Sequence, residues 1–301
     1  MENLKNALCS YFQKEGTTKR EVNANGYLHS FLDNVYGHKM IIEHQQMFDH
    51  GSGGELHSKA EAVHSSSMLG YNFFSWINEK KPFFFDDVTY TKVYFEVQLR
   101  TLCCRSNPAN MDIVLDGTNK DGKRVLLFIE SKFLEYTNFD KMELSDSYIK
   151  PENYYVNNPW NKVAESLIEM TKDTKHYNGG LKQSFCHLVA LNALEKPMAL
   201  TWFNKNNDLK IENLTDIEIR FMNAIFCPSE DYKEYERYCD YEKHYKSFKL
   251  LIETKALYSV QPQWFSYSQI WKEMEPQLMN MDEAERVEYI KRRYMDFAKK
   301  C

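Results

Sequence analysis

The pattern of apolar and polar positions predicts a β-hairpin near the middle of the chain. The most apolar run, 125–129, ends abruptly at the charged residues Glu130 and Lys132. A second short apolar segment begins directly after Asp112, and an Asp-Gly dipeptide between the two runs is a strong reversal signal. Residues two apart on a strand share a face, so antiparallel pairing of the two segments places these three charged side chains toward one end of a sheet.

The periodicities around this hairpin predict an α/β protein. Apolar and polar residues alternate over 94–99, so that Glu96 either faces the same site or lies at a solvated sheet edge. The stretch 181–191 predicts a helix that leads into a strand at 198–203. The other predicted elements are helices at about 1–15, 59–76, 160–176, 216–226, 232–254 and 281–300, and strands at 40–42 and 88–102.

Composition is that of a globular protein with a sizeable core. The chain has 301 residues, of which 43% are hydrophobic and 15% aromatic, enough for one large domain or two small ones. No run of 18 apolar residues occurs and no secretory pattern opens the chain, so we expect no membrane insertion and a cytoplasmic location. Seven cysteines without a C-x-x-C pair suit a reducing compartment and argue against a zinc ribbon.

Two carboxylates and an amine that meet at a strand end suit phosphodiester chemistry. Asp112 and Glu130 offer the oxygen ligands that Mg²⁺ prefers, and Lys132 would be the ammonium beside the metal. An isolated E-x-K tripeptide is more often a solvated pair, with the aspartate capping a turn. The sequence context therefore has to decide between the two interpretations.

That context resembles the PD-(D/E)XK nuclease superfamily. Residues 107–112, Asn-Pro-Ala-Asn-Met-Asp, resemble its first motif, and 125–132 resemble the second, an apolar strand followed by E-x-K. The extension to Glu135 is similar to an E-S-K-F-x-E form in uncharacterised bacterial proteins assigned as restriction endonucleases. Those proteins carry an upstream S-S-x-x-x-x-N-F-F helix, which 66–74 resembles closely. The similarity covers about 61–203.

The resemblance implies a restriction-endonuclease-like α/β/α core, in which helices flank a central mixed sheet. On this basis we expect the nuclease-like core at 59–205, an N-terminal helical and loop addition at 1–58 and a C-terminal helical addition at 206–301, all in one compact unit. The implied activity is that of a DNA endonuclease that depends on Mg²⁺ or Mn²⁺. A non-catalytic nucleic-acid-binding or structural protein that retains the fold is the alternative.

Residue roles follow from the resemblance only where the motifs match. Asp112, Glu130 and Lys132 are the expected catalytic residues, and the first two are the expected metal ligands. Supporting roles are expected for four further residues: Glu96 on the neighbouring strand, Glu135 after E-x-K, Gln183 on the following helix and Glu61, the available acid near the upstream helix. For Gln183, helix propensity explains the residue equally well.

The overall charge does not favour nucleic-acid binding. The net charge is −5 and the isoelectric point is near 6.0, whereas affinity for phosphates normally requires a basic surface. Local cations remain as weak candidates for DNA contacts, although each is more often a solvated residue: Arg100, Arg105, Lys123, Arg124 and Lys182. The tyrosine-rich helix at 232–254 either packs on the sheet or mediates a homodimer.

Overall fold

One mixed sheet of six strands, in the order β1-β2-β3-β4-β5-β6, runs through most of the chain. The computed structural model describes residues 2–14, 22–51, 55–56, 59–104, 107–172 and 177–300. The strands are β1 Phe83–Phe85, β2 Val88–Leu99, β3 Ala109–Asn119, β4 Arg124–Lys132, β5 Ile217–Ile225 and β6 Pro262–Ser266. The pairs β1–β2, β2–β3 and β3–β4 are antiparallel, whereas β4–β5 and β5–β6 are parallel.

The helices cover both faces of this sheet, and the predicted α/β class is confirmed. The helices are α1 Leu4–Lys14, α2 Ile42–His50, α3 Ser66–Phe74, α4 Trp160–Thr171, α5 Gly179–Ala193, α6 Pro197–Asn206, α7 Glu234–Lys255, α8 Tyr267–Asn280 and α9 Ala284–Arg293. Within the described ranges, none of these helices combines the length and apolar character that a membrane span requires.

The predicted hairpin of β3 and β4 is confirmed. Ile113 pairs with Ile129, and the register continues to the turn that follows Asn119. The Asn119 side-chain oxygen accepts the backbone N–H groups of Asp121 and Lys123, each at 3.0 Å. Gly122 adopts a positive φ of +79° there, a conformation that only glycine takes without strain, so the Asp-Gly dipeptide determines where the chain reverses.

Side chains alternate along the hairpin between two helical layers. Gly70 of α3 lies so close behind the hairpin that an added Cβ would meet Ile113 Cδ1 at 2.6 Å. Ser131 Oγ and Tyr267 Oη of α8 are 2.7 Å apart on this same face. On the opposite face, the ring of His187 from α5 lies 5.9 Å from the ring of Phe221. Glu130, one residue before Ser131, therefore points to the α5 layer.

Three sequence predictions of secondary structure are wrong. Residues 198–203 belong to α6 rather than to a strand, because Pro197 starts a helix readily and Ala199 and Phe203, four apart, are buried on one side. Residues 40–42 are not a strand, and α2 begins at Ile42. Residues 217–225 form strand β5, although 216–226 was predicted as a helix, and the period-two alternation of Ile and charged residues at the start of β5 is typical of a strand.

The sheet therefore extends beyond the expected core. Strand β5 and strand β6, which the sequence analysis did not predict, both lie in the segment that was expected to be helical. The helix predicted for 59–76 is a 3₁₀ turn at Lys59–Glu61 followed by the shorter α3. Ser65 caps α3, because its hydroxyl accepts the backbone N–H of Met68 at 3.2 Å.

Candidate metal and catalytic site

Three carboxylates lie in one row across the strands β2, β3 and β4. The pairs Phe95 with Ile113 and Val97 with Met111 place Glu96 opposite Asp112. The β3–β4 pairing ends at Ile113 and Ile129, and its continuation places Asp112 opposite Glu130. The row faces the α5 layer.

Asp112 is fixed where the two strands of the hairpin separate. Its Oδ2 accepts the backbone N–H of Ser131 at 2.7 Å. This side-chain bond takes the place of the next backbone hydrogen bond between β3 and β4. Asp112 as a whole residue is half-buried. Burial, followed by the charge of Glu130, raises the pKa of Asp112 well above its usual range, although Lys132 acts in the opposite direction.

Glu130 and Lys132 form a buried ion pair on β4. Their side chains are 1% and 6% exposed, and Lys132 Nζ donates to Glu130 Oε1 at 2.5 Å. Burial alone would lower the pKa of Lys132, but Glu130, Tyr177 and Asp112 outweigh burial and raise the pKa well above its ordinary value. Lys132 is therefore a permanent ammonium group and not a general base at neutral pH.

Glu96 completes the row in a strained conformation. Its φ is +51°, a left-handed value that costs free energy for any residue other than glycine and that recurs at functional sites. Burial, with the charges of Glu55 and Glu130, raises the pKa of Glu96 to about 8, while a hydrogen bond from Asn110 acts against this. Asn110 Nδ2 lies 3.3 Å from Glu96 Oε2.

His187 of α5 joins the two strands that carry the acids. Its Nε2 lies 3.0 Å from the carbonyl oxygen of Asn110, which can only accept, so Nε2 carries a hydrogen. The other ring nitrogen, Nδ1, lies 3.4 Å from Glu130 Oε2. Burial lowers the pKa of His187, although Glu130 raises it. The second ring nitrogen of His187 is therefore the one that faces the Glu130 carboxylate.

Three buried polar atoms of this cluster make no hydrogen bond within the described part of the chain: Asn110 Oδ1, Glu130 Oε2 and His187 Nδ1. All three are able to accept or to coordinate, and buried acceptors without a donor favour a cation nearby. No group of three or more His, Cys, Asp or Glu side chains in the described ranges is arranged to hold a metal ion. A cation on Asp112 and Glu130 would complete its shell with other oxygen ligands.

The supporting residues expected from the sequence lie at different distances from the row. Glu135 follows β4, and its carboxylate accepts the N–H of Phe133 at 2.7 Å. Gln183 is exposed on α5, whereas Ser184 and His187 on the same helix are buried against the sheet. The sequence analysis did not single out His187, whose ring lies against Glu130.

Glu61 lies in the 3₁₀ turn before α3. Its backbone carbonyl accepts the N–H of Leu28 at 2.9 Å, and this contact does not involve the acids of the row. Glu55 is the acid of this upstream segment that influences the row. Its charge raises the pKa of Glu96, and its Oε1 accepts the hydroxyl of Ser67 at 2.6 Å. No local sequence signal singles out Glu55, while Asn110 could have been found because it lies two residues before Asp112 on the same strand face.

The weak cationic candidates do not gather at the row. Lys123 and Arg124 lie at the turn end of the hairpin, roughly 20 Å from Glu130 at about 3.3 Å per residue. The guanidinium of Arg100 lies 5.6 Å from the ring centre of Trp202. Lys182 is half-buried in the first turn of α5. Arg105 lies outside the described residues.

A groove of about 680 Å³ opens beside the row. Ser66 and Glu135 line it, and both contact the β4 end: Ser66 O accepts the hydroxyl of Ser131 at 2.9 Å, and Glu135 holds the N–H of Phe133. Glu55 and Lys59 also line the groove.

Comparison with known proteins adds no assignment. No protein-family model, curated protein or solved structure matches the chain.

Proposed function

We propose that this protein is a divalent-metal-dependent endonuclease that hydrolyses phosphodiester bonds of DNA on a restriction-endonuclease-like core of the PD-(D/E)XK type. The proposal depends above all on one observation: Asp112, Glu130 and Lys132 converge from two strands at one end of one sheet face. The order of α3, the antiparallel strands, α5 and the parallel strand β5 supports it, because the resemblance implies a helix before the motifs and a helix and strand after them.

The side chains present fit a hard divalent cation. Asp112 and Glu130 supply carboxylate oxygens, and Glu130 Oε2 is buried without a hydrogen-bond donor among the described residues. Two carboxylates suffice for Mg²⁺, which retains several waters and often takes substrate phosphate as a further ligand. When bound, Mg²⁺ or Mn²⁺ supplies Lewis acidity to the phosphate and lowers the pKa of a bound water.

The residues of the chain would position the metal ligands and stabilise charge on the phosphate. The Ser131 N–H fixes the Asp112 carboxylate, and the Lys132 ammonium and His187 lie on the two oxygens of Glu130. Because Lys132 stays protonated, its role is to stabilise negative charge that develops on the phosphate oxygens. Proton removal from the attacking water is not assigned to it.

Cleavage of plasmid and single-stranded DNA in Mg²⁺ or Mn²⁺ tests the proposal. We expect Lys132→Ala to lower the cleavage rate by about 10²- to 10³-fold, as loss of one preorganised charge-stabilising group does. Lys123→Ala, at the turn end of the same hairpin, is the matched control and should cleave at the wild-type rate. Since Lys132 is buried, circular dichroism must show that its variant folds, and the isosteric Asp112→Asn provides a second inactive variant with weaker Mn²⁺ uptake in calorimetry.

Equal cleavage by the wild type and Lys132→Ala would remove the proposed role of the E-x-K lysine. The second candidate function is a non-catalytic nucleic-acid-binding protein that retains the fold, which the closed ion pair of Glu130 and Lys132 favours. Binding of DNA without cleavage in any divalent metal would support that alternative.

A further inference from the structure

An exposed aromatic ring lies at the border of the groove and plays no part in the site described above. Phe139 follows the 3₁₀ turn Glu135–Thr137 and is 55% exposed. The guanidinium carbon of Arg237, from α7, lies 4.1 Å from the centre of its ring. Arg237 and Asn138 both line the groove, so the pair of Arg237 and Phe139 belongs to its rim.

The pair of Arg237 and Phe139 lies near the candidate catalytic residues. Glu135, four residues before Phe139, lines the same groove and contributes to the raised pKa of Lys132. A chain of nucleotides that lies in the groove would pass the Lys132 end of β4 and the Phe139 ring within a short length. The arginine covers one face of the ring, and more than half of the phenylalanine remains open to solvent.

The groove also offers cations that are free to meet phosphates. Lys5, Lys233 and Arg237 line it, and none of them forms an ion pair with another residue in the described ranges. The acids of the groove are mostly engaged: Glu55 binds Lys59 at 3.1 Å, and Glu234 accepts the N–H of Leu4 at 3.1 Å. The uncommitted charge on the groove walls is therefore mainly positive, despite the acidic total.

We propose that Phe139 and Arg237 form a stacking platform for an unpaired nucleobase, so that the substrate of this protein is single-stranded DNA or a strand with unpaired bases beside the cleavage point. This inference rests on the proposed nuclease function and specifies its substrate class. A base inside a duplex has both faces covered by its neighbours, whereas an unpaired base gains by stacking on an aromatic ring with an arginine beside it. Stacking tolerates any base, so no sequence preference is expected from this contact.

Binding measurements without cleavage test the platform separately from the enzyme activity. We propose fluorescence anisotropy with a labelled single strand of mixed sequence and with the same sequence as a duplex, both in EDTA. The wild type should bind the single strand more tightly, and Phe139→Ala should weaken that binding about tenfold. Phe139→Trp keeps a stacking surface and should restore it. With three cations on phosphates, the logarithm of affinity should fall with the logarithm of salt at a slope of roughly −2.

Phe84 is the matched control. It is 56% exposed, nearly the same as Phe139, but lies on the edge strand β1, where its backbone N–H bonds Gln277, and it does not line the groove. Phe84→Ala should bind single strands like the wild type. Equal losses in the two alanine variants, equal binding of duplex and single strand, or no binding of either would each overturn the platform.

The two proposals fail in different ways. Phe139-dependent binding of single strands without cleavage in any metal would retain the platform and contradict the nuclease. Metal-dependent cleavage lost in Asp112→Asn, with no effect of Phe139→Ala on single-strand binding, would retain the nuclease and contradict the platform.

Discussion

The clearest consequence of the acid row is an unusual dependence of stability on pH, and Glu96→Gln tests it. The pKa of Glu96 is raised from an ordinary value of 4.5 to about 8, first by burial and then by the charges of Glu55 and Glu130. A carboxyl group with a raised pKa binds more protons in the folded state than in the unfolded chain between these two values. Its contribution to stability is therefore complete below pH 4.5 and is lost as pH rises through about 8.

The size of the effect follows from the two pKa values. Between pH 5 and pH 8 the linkage relation gives a loss of roughly 3 kcal/mol of unfolding free energy from this one group. Glutamine keeps the shape and removes the titration. The wild type should thus lose about 3 kcal/mol more than Glu96→Gln over this range.

Urea denaturation at several pH values in EDTA measures the difference. Glu273→Gln, on the exposed side of α8, is the matched control and should follow the wild type. If the wild type and Glu96→Gln lose the same stability between pH 5 and pH 8, Glu96 is not held protonated by its surroundings, and the electrostatic account of the row is wrong.

Three further variants test other parts of the structure. His187→Gln removes the ring beside Glu130, and loss of a group that orients a metal ligand should weaken Mn²⁺ binding about 10- to 100-fold in calorimetry. Unchanged Mn²⁺ affinity would exclude this orienting role of His187. Arg124→Ala breaks a partly exposed ion pair at the far end of the hairpin and should cost under about 1 kcal/mol in urea denaturation without changing DNA affinity, whereas a large loss of affinity would move the DNA surface to that end. Gly70→Ala places a Cβ against the end of the Ile113 side chain but also removes a glycine from the interior of α3. The two effects should nearly offset, leaving stability within about 1 kcal/mol of the wild type by the same method, and a larger loss would show that Ile113 cannot shift.

The hairpin could be predicted because its signals are local. A continuous apolar run, an Asp-Gly turn and the two-residue period of a strand depend only on neighbouring residues. These local signals are enough to place Asp112, Glu130 and Lys132 at one end of one sheet face. Glu96 followed from the same alternation, although its left-handed φ did not.

Strand β5 and helix α6 were assigned the wrong way round for a physical reason. Both segments are short and moderately apolar. A segment of this kind becomes a strand when a neighbouring strand has unpaired backbone N–H and C=O groups with which it can form hydrogen bonds. Strand β4 pairs in this way with Ile217–Ile225, whereas Pro197 starts helix α6 earlier in the chain.

Local sequence is sufficient to place the two acids, the lysine and the hairpin that carries them, because covalent neighbours and strand periodicity fix those positions. The distant residues that surround them depend on how the chain packs: His187 rather than Gln183 on α5, and Glu55 rather than Glu61 before α3. The rotation of a helix against a sheet depends on how the two surfaces pack over long sequence separations. On α5, Gln183 is exposed whereas its neighbour Ser184 is buried against Asn223, and local periodicity does not contain that information.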